Sequence, residues 1–538
     1  MDLPGRPTSI RRPSWVAWFV QFVVFFVLMV SLQSWHGAYH SDLAEDPDEA
    51  AHAVTSLMVR DYLAKAPGSN PLRYAQNYYD RLPKVALGHY PPGFYMLAGV
   101  FLLPVPTLGA LFFLQAAVVA SLAATSARWS ARTLPSWVGW LVGVAVCLAA
   151  PMQKVSVLIM SDFLLALLCL LSVGCLWRYV ERPKVTWSLG FGFLAAAAIL
   201  TKGSGWMLVL APALIIALTR KWSLLWRPSL WVAPLPVLAL ALPWQMYSYR
   251  FTEEGMSGLG LREHFLHAVK FYAISFHDSF GWPLVIVGIA TVILMLVRWF
   301  RGGALQPGEA ALWALIGAAV VLVLTVPAGV SSRYLVPMTP PLLLTVAMAI
   351  WMVNLGKAQT GLRVGLLALV GVSLVLGCSH KDLRKDVHGY SEAVDKLVSD
   401  TMQHDGAAWL VCADARGEGA IIAAAAFDKQ LRGLPGFQVL RATKELASMD
   451  WIGRSYEEAF ASNQALRAHL EKRRVRWVLL DDSVPPPYRQ PHFAQLHQAL
   501  AEKDSGWMQA HTVPVVRWDG AKGDLHLFAH EPQQPAPK

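Results

Sequence analysis

The sequence predicts a polytopic α-helical membrane protein of about eleven spans, roughly eleven to thirteen being possible, with a C-terminal soluble α/β domain. Three observations carry this. Of 538 residues, 55% are hydrophobic and 15% charged, where soluble globular chains carry about 25% charged residues. The apolar excess falls into runs such as Trp15 to Val30, Phe163 to Trp177 and Ala310 to Val326. A run of about 20 apolar residues crosses a hydrocarbon core as a helix, and many such runs mean a bundle, because only helices and closed barrels satisfy their backbone in lipid. Near Ser379 the long apolar runs stop and charged residues become frequent.

The elements follow in order. Arg6, Arg11 and Arg12 precede the first apolar run. That run is long and no small-residue cleavage pattern follows it, so it reads as an uncleaved first span with the N-terminus cytoplasmic. Span 1 leaves the membrane near Trp35, and 36–90 forms a polar outer loop. The next apolar stretch, Pro91 to Pro106, is short and bounded by prolines. If it does not cross, the basic clusters all fall on the inner side: Arg128 and Arg132; Arg178, Arg182 and Lys184; Arg220, Lys221 and Arg227; Arg298 and Arg301; Lys357 and Arg363. If it crosses alone, every cluster flips outward. It is therefore read as interfacial or re-entrant. The last span, Leu362 to Cys378, delivers the C-terminus outside.

Residues 1–378 are thus expected to form the membrane domain and 379–538 an outer α/β domain. In the latter, Ala408–Ala413, Phe437–Leu440 and Val475–Leu480 read as strands, Gly419–Phe427 and Leu466–Arg474 as helices. The Pro-rich end, Gln533 to Lys538, reads as disordered. Short loops and the lack of an organelle signal point to a bacterial inner membrane, with the tail in the periplasm.

Composition also excludes some functions. A net charge of +10 raises nucleic acid as a partner, but the basic residues sit between apolar runs, as cytoplasmic loops do. The five cysteines, Cys147, Cys169, Cys175, Cys378 and Cys412, form no CxxC pair and imply neither a disulfide framework nor a thiolate metal site.

The unusual polar residues converge on the outer side. The first outer loop holds Glu45-Asp46-Pro47-Asp48-Glu49-Ala50-Ala51-His52. A carboxylate there can take a proton from an attacking hydroxyl, and adjacent acids can hold a divalent cation. A solvated loop capping a helix explains the same residues. Lys84 and His89-Tyr90-Pro91-Pro92 follow, with His89 equally readable as an ordinary interface histidine. Asp162 opens a span, where an acid is costly and usually functional, or serves with Ser161 as a helix cap. Thr201-Lys202-Gly203-Ser204-Gly205 places a lysine in a Gly-rich turn, which suits a phosphate, and snorkelling to lipid headgroups is the alternative. Ser331-Ser332-Arg333-Tyr334 supplies a second outward cation able to grip a phosphate with two donors. The loop from Arg250 to Gly281 adds Glu253, Glu254, His264, His267, Lys270, His277 and Asp278, without convincing metal-ligand spacing.

Five of these motifs, in this order across about Trp15 to Gly377, resemble the polytopic C-type glycosyltransferases, in the group of the dolichyl-phosphate-mannose protein O-mannosyltransferases and the lipid A aminoarabinose transferases. They are Asp48-Glu49, Tyr90-Pro91-Pro92, Ser161-Asp162, Leu200-Thr201-Lys202-Gly203 and Arg333-Tyr334-Leu335-Val336-Pro337. The resemblance implies a polyprenyl-phosphate sugar donor, a hydroxyl-bearing acceptor and inversion at the anomeric centre. It implies Asp48 as general base or acceptor-positioning acid with Glu49 beside it, and Asp162 shaping the same cavity. Lys202 and Arg333, with Tyr334, would hold the donor phosphate. Asp46, Lys84, His89, Tyr90, His264 and His277 are further candidates for substrate or a divalent metal. Where many members have Lys-Pro-Pro this chain has His89-Tyr90-Pro91-Pro92. Two other readings stay open. One is a transporter or flippase of lipid-linked sugars, although no repeats are found. The other is a non-catalytic envelope assembly protein.

Overall fold

The computed structural model describes residues 15–253, 258–352, 359–378, 383–404, 406–449, 454–503 and 505–530. Arg6, Arg11, Arg12, Glu254, Lys357, Lys381 and the Pro-rich end lie outside the described residues.

The chain is a multi-pass membrane protein. Helix α1 (Trp15–Trp35) is apolar on all sides. Three short helices follow: α2 (Pro47–Lys65), α3 (Pro71–Arg81) and α4 (Gly93–Phe101). Asp46 and Asn70 start α2 and α3 as side-chain N-caps, each with proline just inside the helix. Helix α4 has nine residues, about 14 Å, so it is far too short to cross a bilayer. Then come α5 (Leu108–Ser130), α6 (Ser136–Leu148), α7 (Ala150–Ser156), α8 (Asp162–Glu181), α9 (Val185–Thr201) and α10 (Ala211–Thr219). A 3₁₀ segment, Gly203–Leu210, joins α9 to α10. A π-helical turn joins α11 (Pro234–Pro236) to α12 (Leu242–Thr252). Next are α13 (Leu261–Phe300), α14 (Pro307–Thr325), α15 (Thr339–Met352) and α16 (Gln359–Cys378).

Among the described residues, seven helical segments are long and apolar enough to cross a membrane, or eight if α6 and α7, bent by 52°, count as one span. The expected eleven is reached only by adding the shorter segments 185–201, 203–219 and 234–252. The expected outer loop from Arg250 to Gly281 is instead mostly helix. Apolar residues at Leu261, Phe265, Val269 and Tyr272 recur at helical spacing and build the first arm of α13. At Gly281 the backbone takes φ 67°, Pro283 follows, and the helix turns there into a second arm.

The basic clusters gather at one end of the bundle. Arg132 lies over the Trp177 ring at 4.4 Å, Lys221 donates to Val180 O at 2.9 Å, and Arg220 donates to Trp299 O at 2.6 Å. Helix α8 carries Trp177 and Arg178 at that end and Asp162 at the other. Its 20 residues span about 30 Å, a hydrocarbon thickness. Asp162 therefore lies at the face opposite the basic loops.

The C-terminal region lies on Asp162's side. It holds a five-stranded sheet of order β2-β1-β5-β7-β6, from β1 (Ala408–Cys412), β2 (Gln438–Arg441), β5 (Val475–Asp481), β6 (Trp507–Val516) and β7 (Lys522–His530). The first three neighbours are parallel, while β7 and β6 run as an antiparallel hairpin. A two-stranded ribbon, β3 (Ala447–Ser448) and β4 (Glu457–Glu458), is separate. Helices α17 (Tyr390–Thr401) and α18 (Ala415–Phe427) share one continuous apolar core with the inner sheet face, α2 and the membrane helices. Short α19 (Lys429–Gly433) and α20 (Ala442–Glu445) link strands. Helices α21 (Asn463–Lys472) and α22 (Pro491–Ala501) cover the other face with a second core around Leu466, Val478 and Leu496.

Candidate functional site

The first turn of α2 sets the acids. Asp46 accepts from the Asp48 amide at 3.0 Å, which leaves the Asp48 carboxylate facing the turn that ends in Tyr90. The Tyr90 hydroxyl donates to Asp48 Oδ2 at 2.7 Å, and Arg333 Nη2 donates to the same oxygen at 3.2 Å. Arg333 Nη1 lies 3.6 Å from Asp46 Oδ2 and 3.0 Å from Met160 Sδ. Ser331 orients the Arg333 turn by accepting from the Arg333 amide at 3.3 Å. Burial alone would raise Asp48, but Arg333 and the Tyr90 hydroxyl hold its carboxyl below the usual range. Asp46 is raised, with burial outweighing the pull of Arg333. The two acids thus differ in proton affinity, with Asp48 the stronger acid.

A second ion pair lies beside the first. Lys202 Nζ donates to Asp162 Oδ1 at 2.7 Å, and the ammonium sits 5.1 Å from the centre of the Tyr334 ring. Lys202 is the extended residue between α9 and the 3₁₀ segment, while Asp162 is the first residue of α8, where the helix dipole favours an anion. Gly93, just after Tyr90-Pro91-Pro92, lets α4 press on this junction: a Cβ there would lie 2.7 Å from Leu200 O. The Lys202 and Asp162 side chains are 9% and 1% exposed, against 20% and 21% for Arg333 and Asp48. The arginine group is therefore reachable from outside and the lysine pair sits behind it. Asp162 Oδ2 is buried without a hydrogen-bond partner among the described residues.

Seven expected residues thus come together: Asp46, Asp48, Tyr90, Asp162, Lys202, Arg333 and Tyr334. The histidine ending the acidic run, His52, joins them without having been assigned a role. One helical turn after Asp48, it is buried edge-on against Tyr90 with its Nδ1 2.9 Å from the Tyr95 hydroxyl. Burial lowers its pKa to about 4, so it is a neutral packing partner of Asp48. Its i+4 spacing from Asp48 was the available signal.

Other expected residues lie elsewhere. Glu49 does not face the site; it is fully buried in an ion pair with Lys385. Lys84 points into the C-terminal region and donates to Ala415 O at 3.0 Å. His89 packs edge-on against Phe251. His264 is buried on α13 with Nε2 3.3 Å from Val323 O, and His277 pairs with its exposed neighbour Asp278 at 2.9 Å. Among the described residues no three His, Cys, Asp or Glu side chains converge as metal ligands. Asp46 and Asp48, the best acidic pair, already share Arg333, so the residues do not present a donor set for a resident divalent cation.

The fold is shared with solved structures of other proteins. Neither a protein-family model nor a curated protein matches the sequence. Solved structures do match. The archaeal oligosaccharyltransferase AglB from Archaeoglobus fulgidus, in complex with an inhibitory peptide and a dolichol-phosphate, aligns with TM-score 0.54 at 10% identity, over 97% of this chain and 76% of that one. ArnT from Cupriavidus metallidurans bound to undecaprenyl phosphate aligns with TM-score 0.54 at 14% identity, over 98% of this chain and 100% of that one. At these identities the likeness is one of fold, and it extends through the C-terminal region.

Proposed function

We propose that the chain is a membrane glycosyltransferase that moves a sugar from a polyprenyl-phosphate carrier to a hydroxyl of a glycolipid, glycan or protein. The reaction would take place at the outer face of a bacterial inner membrane, with the N-terminus cytoplasmic. Residues 379–538 would form a periplasmic domain. The observation that carries this reading is the pairing of one ionised carboxylate, Asp48, with two cations, Arg333 and Lys202, at one face of the bundle. That two solved structures of this fold hold dolichol-phosphate and undecaprenyl phosphate supports the choice of carrier.

The chemistry follows from the charges. The acceptor oxygen bonds to the sugar C1 from the face opposite the phosphate, and the C1–O bond to the phosphate breaks, which inverts the centre. The bonding electrons leave with the polyprenyl phosphate, whose charge Lys202 and Arg333 stabilise. The hydroxyl proton passes to Asp48, for which Tyr90 and Arg333 fix the position of the accepting carboxylate. A phosphate is already a stable leaving group, so cations do more here than a strong general acid. Donor arrival would replace Asp162 at Lys202 and Asp46 at Arg333 by phosphate oxygens.

Binding of undecaprenyl phosphate to the purified chain tests the donor site. Lys202→Met and Arg333→Ala should each weaken it by about 10- to 150-fold, the equivalent of ~1.5–3 kcal/mol for a charge-assisted contact. Wild-type affinity in both variants would sink the assignment.

A further inference from the structure

We infer that Lys385, which lies beyond the last membrane helix, is a positioning residue for the Asp48 carboxylate. This rests on the transfer reading above.

Lys385 is held in the first outer loop by its own backbone. Its amide donates to His36 O at 2.8 Å and its carbonyl accepts from Ser41 Oγ at 2.8 Å. Two residues on, Val387 O accepts from the Asp42 amide at 2.8 Å, and the Asp42 carboxylate accepts from the Tyr390 amide at 2.8 Å, at the start of α17. The chain leaving α16 is thus bound along 36–42 before the sheet begins. From that strap the Lys385 side chain enters the protein, with its ammonium 5.6 Å from the Phe112 ring centre. It donates to Glu49 Oε1 and also lies 3.4 Å from Val157 O. Both charged side chains are fully buried.

These two acceptors belong to opposite walls of the site. Glu49 is next to Asp48 in the first turn of α2. Val157 opens the loop that leads through Met160, the sulfur contact of Arg333, to Asp162 at the start of α8. One ammonium therefore ties the turn carrying the proton acceptor to the loop carrying the Arg333 and Lys202 partners. A buried ion pair is poor value for stability alone, since apolar residues of similar size often do as well. Burial raises the Glu49 carboxyl to about 7 against the opposing pull of Lys385, so without that lysine Glu49 loses its charge or its place. Either outcome frees the turn on which Asp48 sits.

The test separates position from folding. Wild type, Asp48→Asn, Lys385→Met and the neutral double variant Lys385→Met/Glu49→Gln are compared in three readouts. These are melting midpoint, binding of undecaprenyl phosphate, and sugar transfer in cells, read by mass spectrometry of envelope glycolipids per folded chain. Lys385→Met should melt lower. The double variant should recover its melting midpoint and bind undecaprenyl phosphate within about threefold of wild type, yet transfer on the order of a hundredfold less, the scale of an ångström-level misplacement. A double variant that regains transfer together with its melting midpoint, or a folded Lys385→Met with wild-type transfer, overturns the inference while an inactive Asp48→Asn leaves the transfer reading intact. An Asp48→Asn profile equal to wild type overturns both.

Discussion

Tyr90→Phe removes one oxygen and nothing else from the site. Its ring packs against His52 at 4.7 Å, and phenylalanine keeps that contact. What is lost is the 2.7 Å hydrogen bond to Asp48 Oδ2. A hydrogen bond to a charged group is worth ~1.5–3 kcal/mol, and one pKa unit is about 1.4 kcal/mol. The bond stabilises the ionised carboxylate, so its loss raises the Asp48 pKa. In wild type Arg333 and the Tyr90 hydroxyl hold Asp48 below the usual carboxylate range. Its acid limb should therefore lie at lower pH than that of an ordinary carboxylate. In Tyr90→Phe the limb should move to higher pH, with transfer falling as Asp48 takes up a proton there. The assay is transfer in membrane vesicles that contain both endogenous donor and acceptor, between about pH 4 and 8, with melting followed across the same range. Coincident acid limbs in the two proteins would refute the role of Tyr90 and the ionised state assigned to Asp48.

Gly93→Ala places a methyl 2.7 Å from Leu200 O, an overpacking that costs about 1–3 kcal/mol. It should lower the melting midpoint and weaken undecaprenyl phosphate binding, because the strain falls beside Lys202; unchanged binding in a destabilised variant would contradict that coupling. Lys84→Met should leave transfer at the wild-type level, since the amine contacts Ala415 O and no site residue. Burial, reinforced by Arg441, lowers Lys84 to about 8, so between that pH and the ordinary lysine value the unfolded chain binds more protons. Wild-type stability should climb with pH across this window, and the Met variant, which lacks the amine, should not show that climb; loss of transfer in Lys84→Met would restore it to the site.

The parts of this architecture legible in the sequence are those where polar residues interrupt apolar runs. Asp162, Lys202 and Arg333 stand out because charge at the end of a span is costly, and their common side follows from the basic loops. The short stretch after Pro91 was legible as non-crossing for the same reason. What was hidden depends on contacts made across the chain. Glu49 shared the acidic run with Asp48, yet α2 turns successive residues to different sides, and its partner Lys385 is 336 residues away. Lys385 itself sits in a charged stretch that reads as solvated surface. Lys84 looked like a site residue until α18 closed over it. The histidines of α13 suggested a loop because their polarity masked a helical apolar repeat. The β6–β7 hairpin went unseen because most of β6 is exposed and lacks the buried run that marked β1 and β5.

The most direct test of the central claim is a mass-spectrometric comparison of lipid-linked sugars and envelope glycans between cells carrying wild type and cells carrying Asp48→Asn. Asparagine keeps the size of the side chain and removes the proton acceptor. The account predicts normal membrane insertion, accumulation of one polyprenyl-phosphate sugar and loss of that same sugar from one glycan. Identical profiles from the two strains would contradict it.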